Sequence, residues 1–150
     1  MKISPQYLAG VVDSDGAFSI TKRHISRPVP NYTGMFQLTW VLNETTQEFM
    51  DSLVSKYGGS FFIQTEKRNA FPNASKTVKY CSTGKALKLL IEDVFPHLIL
   101  KKKQANNLLS LIETQGRYGS GRSKPQGLIE LHEDLYLSNK KLNSKNGTKI

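Results

Sequence analysis

Residues 7–20 read Tyr-Leu-Ala-Gly-Val-Val-Asp-Ser-Asp-Gly-Ala-Phe-Ser-Ile, and this stretch decides the fold. Ser4 suits the N-cap of a helix, and Pro5 suits its first position, where no intrahelical donor is needed. Gly16 is expected to end that helix, because glycine can adopt the positive φ at which helices often stop. The alternating residues that follow are typical of a strand. The stretch therefore predicts a helix that runs directly into a strand.

Two carboxylates, Asp13 and Asp15, fall at the C-terminus of this predicted helix. That end of a helix carries partial negative charge and disfavours further anions. Carboxylates and unpaired backbone carbonyls are the oxygen ligands that Mg²⁺ and Ca²⁺ prefer, so a divalent cation is one explanation. The alternative is an ordinary turn, since Asp tolerates turn geometry and Gly16 supplies the bend.

One flank of the same helix carries small side chains. Gly10 and Ser14 are four residues apart, as are Ala9 and Asp13, so each pair shares a face of the helix. Small residues at this spacing allow the backbone of another helix to approach closely.

The composition favours a single domain with a polyanionic partner. The chain has 150 residues, and 21 Lys and Arg outnumber 12 Asp and Glu to give a net charge of +9. This size supports one core, and the excess of basic residues favours a nucleic acid over a neutral small molecule. The lone Cys81 excludes an internal disulfide and a cysteine-built zinc site. Charge alone is equally typical of ribosomal proteins.

No apolar run approaches the roughly 20 residues that a membrane span requires. Asp13 and Asp15 interrupt the apolar stretch near the N-terminus, which therefore lacks a secretory pattern. We expect a soluble, intracellular protein of the cytoplasm or an organelle, with no membrane partner.

The order of elements predicts an α+β fold with an αββαββα core, a four-stranded antiparallel sheet and additional C-terminal helices. Residues 26–34 contain two prolines and are expected to form a loop. Thr45 or Thr46 is expected to cap the second helix. The register of the third strand stays open, because Phe61, Phe62 and Ile63 are consecutive. The remaining expected elements are helices over 45–57, 85–93, 104–112 and 128–142 and strands over 18–23, 36–42, 60–68 and 77–82.

The string from Leu8 to Gly16 resembles the signature of the LAGLIDADG homing endonucleases. Six of its nine residues match the signature. The resemblance implies a site-specific DNA endonuclease domain over residues 1–142. The polar, basic composition of residues 143–150 separately predicts a disordered tail. The resemblance also implies that Asp15, which stands just before the last glycine, binds a catalytic Mg²⁺ with Ser14 as a further ligand. Ca²⁺ is expected to occupy the same site without turnover.

The sequence contains one copy of the string, and the resemblance implies that two chains supply the two copies. We therefore expect a homodimer, with Tyr7, Gly10, Val11 and Ser14 at the interface. A two-fold symmetric enzyme pairs with a roughly palindromic target.

A second motif, residues 101–106, reads Lys-Lys-Lys-Gln-Ala-Asn and is similar to a K-x-K-Q-A-N segment of the dimeric branch of the family. The resemblance implies that Lys101 stabilises developing charge or organises water at the active site. A glutamine of that branch, at the end of the second strand, has no clear counterpart here. Asn43 is the expected substitute because it keeps an amide, with Glu44 as a second possibility.

A twisted antiparallel ribbon fits the major groove of DNA, where polar side chains read base edges. Basic residues outside the sheet are better suited to phosphate contacts. The expected base-reading set is Ser19, Thr21, Arg23, Gln37, Thr39, Lys67, Arg68 and Lys79. The expected phosphate-contacting set is Lys102, Lys103, Arg117, Arg122, Lys124 and Lys140.

Three functions fit these observations. The leading one is a metal-dependent endonuclease that cuts both strands of DNA at one long target. A non-cleaving nucleic-acid-binding protein on the same scaffold, either an RNA maturase or a DNA-binding regulator, is the main alternative. A purely structural basic protein would leave the carboxylates of Asp13 and Asp15 unexplained.

Overall fold

The computed structural model describes residues 1–24, 29–65, 76–116 and 125–144. Within these ranges the chain forms five α-helices and one four-stranded antiparallel sheet, so the predicted α+β fold is confirmed. A short 3-10 turn, Phe95–His97, joins the third and fourth helices. The helices are α1 (Pro5–Asp15), α2 (Glu44–Tyr57), α3 (Gly84–Val94), α4 (Lys102–Gly116) and α5 (Gln126–Asn143), and the strands are β1 (Gly16–Arg23), β2 (Asn31–Val41), β3 (Ser60–Thr65) and β4 (Lys76–Thr83).

The sheet has the strand order β1-β2-β4-β3. Pairing of Phe62 with Lys79 and of Ile63 with Val78 fixes the register of β3, which the sequence left open. Strand β2 begins at Asn31, so the predicted loop over residues 26–34 is too long. Gly34 was counted as a turn residue, but it lies in the strand. A Cβ there would lie 3.3 Å from Leu108 of α4, so the missing side chain lets that helix pack closely on the sheet.

The core lies between one face of the sheet and the helices. Phe18, Phe36, Leu38 and Tyr80 alternate inward along the strands and are completely or almost completely buried. The ring centroids of Phe18 and Phe36 are 5.2 Å apart, within the range of favourable aromatic pairs. Because helices cover this face, the opposite face of the sheet is left for another function.

Asn43 is the N-cap of α2, so the prediction of Thr45 or Thr46 as the cap is wrong. The Asn43 side-chain oxygen accepts a hydrogen bond from the Thr46 N–H at 2.9 Å. In return, the Thr46 hydroxyl accepts from the Asn43 N–H at 2.9 Å. Asn is as good a cap as Ser or Asp, and this reciprocal pair satisfies two donors at the helix start.

Helix α5 is fixed to β1 by side-chain amides. Asn139 and Asn143 each donate a hydrogen bond to the Phe18 carbonyl, at 3.1 and 2.7 Å. Asn143, which the sequence assigned to a tail, therefore belongs to a helix that packs on the sheet. The rest of that predicted tail, beyond residue 144, lies outside the described residues. In the described part of the chain, none of the helices has the length and apolar character needed to cross a membrane.

Candidate active site and nucleic-acid face

Helix α1 begins and ends where the sequence predicts, but Gly16 does not end it with the positive φ that was expected, because its backbone is extended at φ −77° and ψ 158°. The Ser4 side chain accepts a hydrogen bond from the Tyr7 N–H at 3.2 Å. At the other end the Gly16 N–H donates to the Val12 carbonyl, and the chain turns directly into β1. A Cβ on Gly16 would lie 2.6 Å from the Phe36 ring, so this position has no room for a side chain. The tight turn places Asp13 and Asp15 at the edge of the sheet.

Asp13 is bound by backbone N–H groups of the segment before α4. Its carboxylate accepts hydrogen bonds from Ile99 at 2.8 Å, from Leu100 at 3.1 Å and from Lys101 at 3.0 Å. Because the Lys101 carbonyl accepts the first hydrogen bond of α4, the Asp13 charge lies at the N-terminus of that helix. Anions are stabilised there. The N-terminus of α4 thus offsets the unfavourable position of the Asp13 charge at the C-terminus of α1.

Asp15 is exposed, and its carboxylate has a different partner. The indole Nε1–H of Trp40 on β2 donates to Asp15 Oδ2 at 2.9 Å. Trp40 is half-buried and packs against Phe49 of α2, with ring centroids 4.8 Å apart. The nearby Ser14 hydroxyl donates within its own helix to the Gly10 carbonyl at 2.9 Å. Asp15 is therefore an accessible carboxylate attached to the sheet through one oxygen.

Lys101 lies beneath the same helix end. Its ammonium group donates to the Val12 carbonyl at 3.1 Å and to the Gly16 carbonyl. Burial lowers the pKa of Lys101, while the charges of Asp13 and Asp15 oppose that change. The structure therefore brings together Lys101 and Asp15, the two residues that the sequence placed in the active site from separate motifs.

Asn43 lies at the end of the second strand, three residues after Trp40. A groove of about 730 Å³ runs along this region, and its lining includes Tyr7, Trp40, Asn43 and Phe49. The side-chain oxygen of Asn43 is already used in capping α2. Any contact with a reacting group would therefore fall to its amide nitrogen.

Proteins bind metal ions with sets of ligand side chains such as His, Cys, Asp and Glu. In the described ranges, no three His, Cys, Asp or Glu side chains lie close enough together to hold an ion. His132, for example, is buried and contacts the Thr114 hydroxyl at 2.8 Å, away from α1.

The predicted base-reading residues of the described strands share the face of the sheet that no helix covers. Thr39 and Phe62 flank Lys79 as its cross-strand partners. Ala17 and Cys81 likewise flank Gln37 in the next row. Ser19, Thr21, Gln37 and Lys79 are half-buried, whereas Arg23 and Thr39 are exposed. Lys67 and Arg68, which were expected at the end of β3, lie outside the described residues.

The basic residues outside the sheet fall into two groups. Lys102 and Lys103 are exposed in the first turn of α4, and the Lys102 ammonium group lies 5.1 Å from the Phe95 ring centroid. Lys140 is exposed on α5, with its Nζ 5.9 Å from the Tyr136 ring centroid. Arg117, Arg122 and Lys124 lie outside the described residues.

An exposed apolar strip runs beside α1. Tyr7 is 63% exposed, and Ile99 and Leu100, whose N–H groups bind Asp13, are 83% and 73% exposed. Gly10 is exposed, and a Cβ built on it meets nothing within 4 Å. Val11, which the sequence assigned to a dimer interface, is buried in the monomer core. Tyr7, Gly10 and Ser14 thus form the accessible part of the predicted seam.

Three functional candidates were missed from sequence: Trp40, Phe62 and the pair Ile99 and Leu100. Alternation placed the Trp40 ring inward, but no local signal connects it with Asp15, 25 residues away. Phe62 was missed because the register of β3 was open. Ile99 and Leu100 gave a usable signal. Only one of two adjacent side chains normally faces a core, so an aliphatic pair predicts that one of them is exposed.

The arrangement of a signature helix, an exposed carboxylate and an antiparallel sheet matches the fold of the LAGLIDADG homing endonucleases. The chain resembles the homing endonuclease I-CvuI in complex with its target in the presence of Ca, at 22% identity and a TM-score of 0.69, over 97% of this chain and 86% of that one. It also resembles the archaeal intron-encoded homing endonuclease I-Vdi141I complexed with DNA, at 19% identity and a TM-score of 0.69, over 94% and 84% of the chains.

A third similar structure is longer. The chain matches the LAGLIDADG homing endonuclease I-GzeII in complex with its DNA target at 16% identity and a TM-score of 0.60, covering 96% of this chain but 45% of that one. The sequence matches no protein-family model and no curated protein. The predicted resemblance to LAGLIDADG homing endonucleases is confirmed at the level of the fold.

Proposed function

We propose that the protein is a metal-dependent, site-specific endonuclease that cuts both strands of DNA as a homodimer. The observation that carries this proposal is the exposed carboxylate of Asp15 beside the Lys101 ammonium group, at the end of the signature helix. The fold, shared with endonucleases bound to DNA, supports a DNA substrate.

The oxygen donors at the end of α1 fit a hard divalent ion such as Mg²⁺, with Ca²⁺ as a non-productive substitute. Asp15 supplies a carboxylate oxygen. Ser14 supplies its backbone carbonyl, since its hydroxyl is used within the helix. When bound, such an ion activates water and stabilises charge on the phosphate. One carboxylate per chain is a sparse site, so we infer that a second chain and the DNA backbone complete it.

The uncovered sheet face carries the proposed contacts to DNA. Gln37, Thr39 and Lys79 offer donors and acceptors to base edges in the major groove, together with Ser19, Thr21 and Arg23 on β1. Lys102, Lys103 and Lys140 are proposed to bind phosphates, as are the basic residues at 117, 122 and 124. The net charge of +9 supports a large electrostatic contribution to this binding.

A homodimer is supported by the surface of α1. Tyr7, Gly10 and Ser14 form a stripe on which a second α1 can pack, and Ile99 and Leu100 extend its apolar area. The two-fold axis would bring two Asp15 side chains to opposite strands of a roughly palindromic target.

Lys101 is proposed to act on the same reaction from the protein side. Its ammonium group donates to two carbonyls at the turn that carries Asp15, and partial burial lowers its pKa. It can thus stabilise developing charge or organise water. Asn43 remains the proposed replacement for the family glutamine, with Glu44 as the second possibility.

The test is to incubate the full chain with randomised duplex DNA and Mg²⁺ and to sequence the ends produced. We expect discrete cuts at one target, and no cuts with Asp15→Asn, which keeps an acceptor for Trp40 but removes the charge. Asp51→Asn, at an exposed position of α2, is the matched control and should cut normally. Sequence-specific binding without cleavage by the unmodified protein would instead support a DNA-binding regulator.

A further inference from the structure

We propose that Trp40 is a positioning residue for Asp15, whose carboxylate it restricts to ion binding through a single oxygen. This inference rests on the proposed endonuclease function and names a residue that the signature does not contain. It is carried by one contact: the indole Nε1–H of Trp40 donates to Asp15 Oδ2 at 2.9 Å.

The donor in this contact has a fixed direction. Trp40 lies on β2, where its backbone is paired with Val78 of β4. Its ring packs against Phe49 of α2, with centroids 4.8 Å apart and planes tilted by 54°. Phe49 is itself buried. A side chain held on both sides has little rotamer freedom, so its N–H defines where the Asp15 oxygen must lie.

The acceptor is the Asp15 carboxylate, and its orientation would be poorly defined without Trp40. Asp15 is exposed and occupies the last position of α1, where a side chain has few neighbours. Asp13, two residues earlier, is held by three backbone N–H groups, whereas the contact given by the structure for the Asp15 carboxylate comes from the indole. The sheet therefore orients Asp15 in a way that its own helix does not.

The chemistry of the indole determines the consequence for an ion. Indole N–H is a donor only, so it stabilises the ionised carboxylate and competes with a cation for Oδ2. Oδ1 is then the carboxylate oxygen left available to hold an ion. Pre-orientation of a ligand lowers the entropy lost on binding, and the loss of one hydrogen bond corresponds to roughly a threefold to tenfold change in an equilibrium constant.

The experiment compares Trp40→Phe with the unmodified chain on the same DNA target. Phe keeps an aromatic ring at this position and removes the N–H donor together with part of the indole ring. We expect the Mg²⁺ concentration at half-maximal cleavage to rise by roughly threefold to tenfold. We expect DNA affinity measured without divalent ions to stay unchanged. An unchanged Mg²⁺ dependence, in a protein that cleaves, would overturn the inference while leaving the endonuclease proposal intact.

Phe49→Leu is the matched control, because it disturbs the packing of the indole without removing its N–H. It should lower the midpoint of thermal unfolding and move the Mg²⁺ dependence less than Trp40→Phe does. If Phe49→Leu shifts the Mg²⁺ dependence as strongly, packing alone accounts for the effect and the inference fails.

A spectroscopic measurement tests the same contact without a variant of Trp40 and without turnover. Trp40 is the only tryptophan of the chain, so tryptophan emission reports on this residue alone. We expect Ca²⁺ added to the complex with uncleaved target DNA to change the emission, and Asp15→Asn to abolish that change. Emission that ignores Ca²⁺ under conditions where Mg²⁺ supports cleavage would contradict the inference, whereas absence of cleavage by the unmodified protein would contradict the proposed function itself.

Discussion

Asp13 and Asp15 lie two positions apart, yet their carboxylates have different surroundings. Asp13 is half-buried and accepts three backbone hydrogen bonds at the start of α4. Asp15 is exposed and accepts one from a side chain. Backbone donors fully commit the first carboxylate, which therefore joins α1 to α4. The second keeps an oxygen available, and this difference supports a structural role for Asp13 and the proposed chemical role of Asp15.

We predict that Asp13→Ala destabilises the protein by about 1–3 kcal/mol, because it leaves backbone donors at the start of α4 without their acceptor. Urea unfolding followed by circular dichroism measures the change. Asp51→Ala, at an exposed position of α2, is the control and should change stability by less than about 0.5 kcal/mol. Equal stabilities for the two variants would contradict the structural role of Asp13.

Phe62 is an exposed aromatic side chain on the sheet face that carries Thr39 and Lys79. It is 42% exposed and lies next to Lys79 across the strand pair. Since a phenyl ring cannot read hydrogen-bonding groups, its natural partner in the major groove is the methyl group of thymine.

We predict that the protein binds its DNA target about fourfold more weakly when one particular thymine in each half of the target is replaced by deoxyuridine. The replacement removes one methyl group, whose burial is worth about 0.8 kcal/mol. Binding to a target series with single replacements measures this. Phe62→Ser should bind more weakly and lose the sensitivity to deoxyuridine. Sensitivity that persists in Phe62→Ser would show that another residue contacts the methyl group.

The sequence was informative where the determining contacts are local. Ser4, Pro5 and Gly16 delimit α1 by interactions within a few residues, so both ends of the helix and the placement of Asp15 could be predicted. The Trp40 contact spans 25 residues and the Asp13 contacts span 86 to 88, and no propensity encodes such distances. The register of β3 depends on which neighbour pairs with Lys79, which three consecutive apolar residues cannot specify.

At the scale of elements, α5 is attached to the sheet largely through polar contacts. Glu133 accepts hydrogen bonds from the Tyr32 hydroxyl and forms an ion pair with Lys22 at 2.8 Å. Lys22 also lies 5.9 Å from the ring centroids of Tyr32 and Tyr136. The hydrogen bonds from Lys22 and Tyr32 lower the pKa of Glu133, so the ionised carboxylate is the form that holds α5 on β1 and β2.

We predict that this attachment weakens in acid. Because the folded-state pKa of Glu133 lies below its ordinary value of 4.5, its contribution to stability is complete above that value and is lost as pH falls through the folded-state pKa. The stability difference between the unmodified chain and Glu133→Gln should therefore shrink between neutral pH and about pH 3. Urea unfolding over this range measures it.

Glu130→Gln, at an exposed position of the same helix, is the control for that series and should show no comparable trend. A difference between the unmodified chain and Glu133→Gln that is constant with pH would contradict an ionised Glu133 at the contact.

At the scale of the whole molecule, the proposed site is incomplete in one chain. A single Asp15 lies at the end of α1, and the surface beside it is apolar and exposed at Tyr7, Ile99 and Leu100. A monomer gains nothing from exposing these side chains, whereas a two-fold pair of α1 helices would bury them and bring two carboxylates together. Gly10 lies at the centre of that stripe. A substitution there can therefore block dimerisation without lowering the stability of the monomer.

We predict that Gly10→Leu produces a folded monomer that does not cleave DNA. The space around Gly10 is open in the monomer, and leucine favours a helix interior over glycine by roughly 0.8–1 kcal/mol, so the thermal midpoint should stay equal or rise. At a close helix–helix seam the same side chain would hold the two backbones apart. Gly127→Leu, at another helical glycine with open space, is the control. Light scattering after size exclusion, with and without DNA, should give a monomer for Gly10→Leu and a dimer for the control; a Gly10→Leu dimer that cuts normally would place the seam elsewhere on the chain.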